Sequence, residues 1–272
     1  MKEASFKHWI AGMQLNNAIQ RAKFNQKKGI QSIINVLGEE QKNPKIAEQK
    51  TKEYLKLIRQ IKKHKLNASI SVKLTNIGLS TSKIYALMNL YLIAEEAFRQ
   101  KMFVWIDMEE SRHSDSILST YYHASKFFQN IGITIQAYLK RSKKDVKRLL
   151  KKHAIIRLVK GAYKESIALH EMHAINKNFE FLMKECSKKG KIVIATHDIK
   201  LIEKAMDLVQ KKKQKGRHRN RKGSDLEIQM LMGVHDELKQ LFAESGYQIS
   251  EYIPYGKHWH EYYKRRLKEY LM

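Results

Sequence analysis

Eight short apolar runs in this sequence each end on, or just before, a polar side chain, and those ends hold most of its chemical potential. Lys73 closes the run in SVKLTNIG, Asp107 the run in WIDMEES ahead of Glu109 and Glu110, and Gln136 and Tyr138 fall in IQAYLKRS. RLVKGAYKE supplies Arg157, Lys160 and Tyr163, IATHD supplies Thr196, His197 and Asp198, and EIQMLMG supplies Gln229. Tyr252 lies in YIPYG, and Glu39 follows the first run in LGEE. Near the C-terminus Arg265 and Arg266 are adjacent, and Glu269 is spaced to share a helix face with either of them. Paired guanidinium forks suit a carboxylate anion. Singly, each group also has an ordinary reading. An Asp after a strand usually caps the next helix, a lone His is usually a satisfied hydrogen-bonding residue, and arginines beside a Glu form surface ion pairs. Solvation alone does not require so many different polar groups to follow apolar strands.

The runs that must position these groups alternate with amphipathic stretches. The β-branched segments Ile30–Val36, Ser69–Lys73, Phe103–Asp107, Ile133–Ala137, Ile155–Val159, Ile192–Ala195, Leu226–Gln229 and Gln248–Ile253 read as strands. Helical patterns follow at Lys45–Lys65, Ser82–Arg99, His113–Phe128, Lys143–Lys151, Ser166–Ser187, Ile199–Lys211, Asp236–Glu244 and Glu261–Tyr270, with an extra helix, Gln14–Gln26, ahead of the first strand. Strand–helix alternation means parallel strands with crossover helices. Eight units in 272 residues predict a single (β/α)8 TIM-type barrel domain over residues 1–272. A doubly wound open sheet is the rival, but it usually carries a glycine-rich phosphate loop after its first strand; here that loop, LGEE, has one glycine. In a barrel, catalytic groups gather at the C-terminal strand ends.

Composition narrows the class. One cysteine, Cys186, excludes a disulfide framework or a Cys-rich zinc module. Neither His170–His173 nor His258–His260 has a third ligand at a recognisable spacing, so no metal is expected. The longest stretches without Asp, Glu, Lys or Arg are 13 residues, too short for a membrane span, and the expected location is the cytoplasm. The net charge is +26, and 41 of the 53 basic residues are lysine, which favours a solvated positive surface over base readout. KKKQKGRHRNRK, Lys211–Lys222, has eight basic and no apolar residues and reads as a solvated loop. It lacks the interleaved aromatics of single-strand binders, so no specific nucleic acid is expected. Docking on the inner face of an anionic membrane is one use for it; compositional bias is the other reading.

In this order, SVKLTNIGL, WIDMEES, IQAYLKRS, RLVKGAYKE, ATHD, EIQMLMGV, YIPYG and RRLKEY resemble the flavin-dependent proline dehydrogenase family, in its single-function form, from about Gly29 to Glu269. The resemblance implies a distorted barrel with FAD across its strand ends. It also implies oxidation of L-proline to Δ1-pyrroline-5-carboxylate by hydride transfer to flavin N5, with a quinone as electron acceptor. Carried over by position, Lys73, Arg265 and Arg266 match the substrate-carboxylate contacts, Asp107 an acidic residue beside them, Tyr163 and Tyr252 the ring-packing residues, and Glu269 the last-helix carboxylate. Gln136, Arg157, Val159, Lys160, Gly161, Ala162, Thr196 and His197 match the flavin-binding positions, and Glu39 a substrate gate that pairs with a last-helix arginine. The alternatives are a basic nucleic-acid- or membrane-binding protein without catalysis, and the same barrel oxidising another cyclic amine.

Overall fold

Strands that are buried on both faces read as near-continuous apolar runs, and the eight runs of this chain pair in chain order. In the computed structural model, which describes residues 8–38, 40–162, 165–214 and 225–270, the strands are β1 (Gln31–Val36), β2 (Ala68–Val72), β3 (Val104–Ile106), β4 (Ile131–Gln136), β5 (Ile156–Val159), β6 (Ile192–Ala195), β7 (Leu226–Leu231) and β8 (Gln248–Tyr255). Each is parallel to the next, and β8 returns to β1, closing the barrel. The helices are α1 (Leu15–Lys27), α2 (Pro44–Lys63), α3 (Lys83–Arg99), α4 (Ser114–Ala124), α5 (Ser142–Lys151), α6 (Met172–Lys189), α7 (Ile199–Gln214), α8 (Asp236–Glu244) and α9 (His260–Tyr270). The expected (β/α)8 barrel with one extra N-terminal helix is the fold observed.

The main core lies between strands and helices, where Ile34, Ile70, Val104, Ile106, Ile133 and Leu158 meet Leu57, Ile58, Leu90 and Leu149. Several boundaries differ from expectation, among them the ends of α4 (Ala124, not Phe128) and β8 (Tyr255, not Ile253), and two of the differences have a local cause. α6 begins at Met172, not Ser166, because Ala168 bridges Leu139 and the Leu169 N–H donates to the Tyr138 carbonyl at 2.7 Å. Those backbone groups are committed to the β4 loop and cannot enter a helix. α7 runs on to Gln214, so Lys211–Gln214 are helical rather than loop; lysine and glutamine are good helix formers and no breaker precedes Gly216. The rest of Lys211–Lys222 lies outside the described residues.

The closing seam, β8 to β1, has its own brace. Glu251 of β8 is fully buried and points outward against α1 and α8. It accepts from Arg21 Nε at 2.6 Å and Nη2 at 2.7 Å, from Asn25 Nδ2 at 3.0 Å, and from Lys239 Nζ. Burial pushes its carboxyl pKa up, but Arg21 and Lys239 outweigh burial and hold it below the ordinary carboxylate value. The extra helix is thus tied to the last strand by charge as well as by Ala18, Ile19 and Ala22. Removing one partner of a buried pair leaves the other charge uncompensated, at a cost of about 3–5 kcal/mol. Glu251→Ala is expected to lose about that much in urea unfolding; a loss below about 1 kcal/mol would mean that apolar packing alone holds the seam.

Candidate active site

Side chains of a strand alternate between faces, so residues two apart share the barrel interior. Ser71 and Lys73, Trp105 and Asp107, Thr134 and Gln136, Arg157 and Val159, Glu227 and Gln229, and Ser250 and Tyr252 are such pairs. One sector of this interior is apolar, with Ile33, Trp105 and Val193 packed beside Phe103 and Tyr252. The other is polar, and its centre is Arg157, only 2% exposed. Its Nε donates to Thr134 Oγ1 at 2.8 Å, Nη1 to Gln229 Oε1 at 3.3 Å, and Nη2 to Ser71 Oγ at 3.0 Å and to Asp107 Oδ1. The guanidinium also lies 5.0 Å from the Trp105 ring centroid and 5.9 Å from that of Tyr252. Asp107 accepts further from Ser71 Oγ at 2.8 Å and from the Tyr252 hydroxyl at 3.0 Å. Burial first, then the charge of Asp107, raises the Tyr252 phenol well above its usual range, so it stays a donor. Asp107 therefore sits under the rim, bonded to Arg157 and Tyr252.

Above β1–β3 a cavity of about 130 Å³ opens, lined by Lys73, Glu109, Arg112, His258, Tyr262 and Arg265 among others. Glu109 is buried and accepts from the Thr75 N–H at 3.1 Å and from the Thr75 hydroxyl. Burial raises its carboxyl pKa more than nearby Lys73 lowers it. α9 presents its two arginines in different directions, as neighbours about 100° apart on a helix must be. Arg265 faces this cavity, whereas Arg266 lies over the Tyr262 ring at 5.6 Å and is close enough to His197 to repel its proton. Lys73, Arg265 and Arg266 thus share the β-strand mouth beneath α9. Glu39, Tyr163 and the side chain of Glu269 lie outside the described residues. Glu40, next to Glu39, pairs with Arg112 at 2.8 Å and accepts from Ser80 Oγ at 2.5 Å.

Across the mouth, the ends of β4–β6 gather Gln136, Val159, Lys160, Gly161, Ala162, Thr196 and His197. Lys160 Nζ pairs with Asp198 at 2.7 Å, and Thr196 Oγ1 accepts from the Asp198 N–H at 3.2 Å. Gly161 has φ +116°, and a Cβ there would strike the Tyr138 ring, so only glycine lets the chain pass that close. Val159 is half-buried and Ala162 exposed. Among the described residues, Gln136 Oε1 and His197 Nδ1 are buried without a hydrogen-bond partner. Burial, then Arg266, His235, Lys239 and Lys160, push the His197 pKa down to about 3. His197 is therefore neutral near pH 7.

Ser71, Thr134, Glu165 and Arg112 escaped the sequence reading. Ser71 and Thr134 had a signal, since each stands two residues before a polar strand end. Glu165 had none: it accepts from the Tyr138 hydroxyl at 2.6 Å and the Ser111 N–H at 3.0 Å, joining loops remote in sequence.

Residues 18–270 match the family model described as proline dehydrogenase. Proline dehydrogenase 1 of Bacillus subtilis (strain 168) is 35% identical over 266 residues, 97% of this chain and 86% of that one. Proline dehydrogenase of Deinococcus radiodurans is 28% identical over 270 residues, covering 96% and 84%. Among solved structures, proline utilization A from Bdellovibrio bacteriovorus, inactivated by N-propargylglycine, superposes with a TM-score of 0.84 at 24% identity, covering 96% of this chain and 32% of that one. A Bradyrhizobium japonicum proline utilization A mutant gives 0.80 at 20%, covering 97% and 30%. The chain spans about a third of those larger proteins, and at such identities they show the shared barrel alone.

The depressed His197 pKa carries a stability consequence. Unfolding lets the ring protonate at its ordinary value of 6.5, while the folded ring stays neutral down to about 3. Stability from this group is therefore complete above about pH 6.5 and declines as pH falls towards 3. His197→Asn is expected to flatten the fall in melting temperature over that window relative to wild type; parallel curves would show that the folded ring titrates normally.

Proposed function

The chain belongs to the proline dehydrogenase family, oxidoreductases acting on proline in its catabolism, and we propose that it oxidises L-proline to Δ1-pyrroline-5-carboxylate with FAD as cofactor and a quinone as final electron acceptor. The observation that carries this reading is one mouth with two chemically different sides: cationic Lys73 and Arg265 around a small cavity, and a β4–β6 edge with unsatisfied polar atoms. That edge fits a flavin, because Gln136 Oε1 and His197 Nδ1 are buried and unpartnered among the described residues. Buried polar groups normally find partners, and a heteroaromatic ring with donors and acceptors supplies them. Gln136, Arg157, Val159, Lys160, Gly161, Ala162, Thr196 and His197 are the residues that would hold it. Bound FAD would accept a hydride at N5 from the ring carbon beside nitrogen.

The protein's part is orientation and charge. Lys73, Arg265 and Arg266 fix the substrate carboxylate. Their positive charge also favours loss of the ammonium proton, because like charges disfavour the protonated form, and hydride leaves only from a neutral amine. Tyr252, held by Asp107, packs one wall for the ring, with Tyr163 assigned to the same task. Arg157 is the cation beneath the mouth, placed to stabilise negative charge gained on reduction. Neutral His197 donates or accepts without adding a further positive charge. Glu269 backs the arginines and Glu39 gates entry.

Electrons would pass from the flavin to a quinone, and the basic segment Lys211–Lys222 would supply the contact with an anionic membrane surface. Among the described residues no helix is long and apolar enough to cross a membrane. No specific nucleic-acid partner is part of this reading.

Titration of the protein with FAD is expected to give a stoichiometric yellow complex that proline bleaches under anaerobic conditions. A protein that takes up no FAD would remove the proposal. Arg265→Ala and Arg266→Ala are each expected to raise the proline KM about 10- to 150-fold with FAD content retained, the loss of a charged hydrogen bond being about 1.5–3 kcal/mol. An unchanged KM in both variants would place the carboxylate elsewhere.

A further inference from the structure

A barrel interior is ordinarily filled by layers of branched apolar side chains. Here a buried carboxylate lies below Arg157, at the N-terminal end of the barrel, away from the mouth. Glu227, 6% exposed, accepts four hydrogen bonds: Oε2 from Lys191 Nζ at 2.6 Å and Gln248 Nε2 at 3.2 Å, and Oε1 from Ser250 Oγ at 2.8 Å and Gln229 Nε2 at 2.8 Å. The other end of the Gln229 amide, Oε1, accepts from Arg157 Nη1 at 3.3 Å. A continuous line of hydrogen bonds therefore runs from Lys191 through Glu227, Gln229, Arg157 and Asp107 to Tyr252.

This line has a direction. A carboxylate can only accept, and a guanidinium can only donate. Between them the Gln229 amide has one workable orientation, with its NH2 towards Glu227 and its oxygen towards Arg157. Turned over, it would set oxygen against oxygen on one side and N–H against N–H on the other. We propose that Glu227 is a positioning residue: by accepting from Gln229 it fixes that amide and, through it, the guanidinium plane of Arg157 beneath the reacting centre. The inference rests on the role given to Arg157 in the proposed function. Lys191, on the closed face, supplies the opposing charge that a buried carboxylate needs.

Glu227→Gln tests the direction, because the new amide, with its oxygen towards Lys191, turns its NH2 against that of Gln229, which is then held from the Arg157 side alone. In the FAD-bound full chain, kcat is expected to fall about tenfold while the proline KM stays within about twofold, and the FAD midpoint potential is expected to become more negative. Gln229→Glu is expected to be impaired too, since it sets two carboxylates side by side. The double variant E227Q/Q229E restores the polarity: Glu at 229 accepts from Arg157 and from the amide at 227, whose oxygen accepts from Lys191. Recovery of most of the kcat and potential in the double variant is the expected result. Wild-type kcat and potential in E227Q, or a double variant no better than the poorer single, would overturn the proposal. If wild type binds no FAD, the functional reading has failed instead, and the positioning claim is then decided by unfolding of the FAD-free proteins. A double variant more stable than the summed single losses predict supports it, and additive losses overturn it.

Discussion

A guanidinium keeps its proton at any ordinary pH, so one enclosed in a barrel must be met by acceptors. Arg157 is that group, and the interior is arranged around it. Thr134, Gln229, Ser71 and Asp107, from four other strands, take its N–H groups, and the faces of Trp105 and Tyr252 lie beside it. The cost of enclosing the charge explains why half of this interior is polar when most such barrels fill with aliphatic layers. It also explains why Asp107 lies below the mouth, where it joins Arg157 to the Tyr252 hydroxyl.

Positive charge then accumulates upward. Lys73, Arg265 and Arg266 converge on the mouth from the end of β2 and from α9, and burial first, then Arg266, keeps His197 neutral down to about 3. Glu109 has its own pKa raised by burial despite nearby Lys73. Burial at the mouth is the largest cause of both shifts, lowering the His197 pKa and raising that of Glu109. Charge of either sign that enters the mouth is felt strongly because the surroundings screen it little.

The frame that allows this is held at its seam. α1 covers the junction of β8 with β1, and Arg21, Asn25 and Lys239 close on Glu251 behind it. The seam bears on the site as well, because Tyr252 follows Glu251 directly and faces the opposite way, into the barrel. One strand thus uses alternate residues to fasten the outside and to line the inside.

The alternation of eight apolar runs with amphipathic helices was enough to specify the barrel, because parallel strands need crossovers and eight strands joined in this way close a ring. It also brought Lys73, Gln136, Lys160, Thr196 and His197 to one rim, since strand ends in such a ring share a face, while Asp107 lies just beneath it, bonded to Tyr252. Local patterning could not say that Ala168 and Leu169 would be drawn to the β4 loop rather than into a helix, nor that α7 would run on through Lys211–Gln214. It could not place Glu165 between Tyr138 and Ser111, because those partners come from three loops. Above all, the sequence could not tell which polar residues would look up into the mouth and which down into the interior. Arg157 and Glu227 stand near the starts of β5 and β7, and only closure of the ring sets them opposite Asp107, Gln229 and Lys191. Hydrogen bonds between strands far apart in sequence depend on register and shear across the whole barrel, and those are settled by tertiary packing.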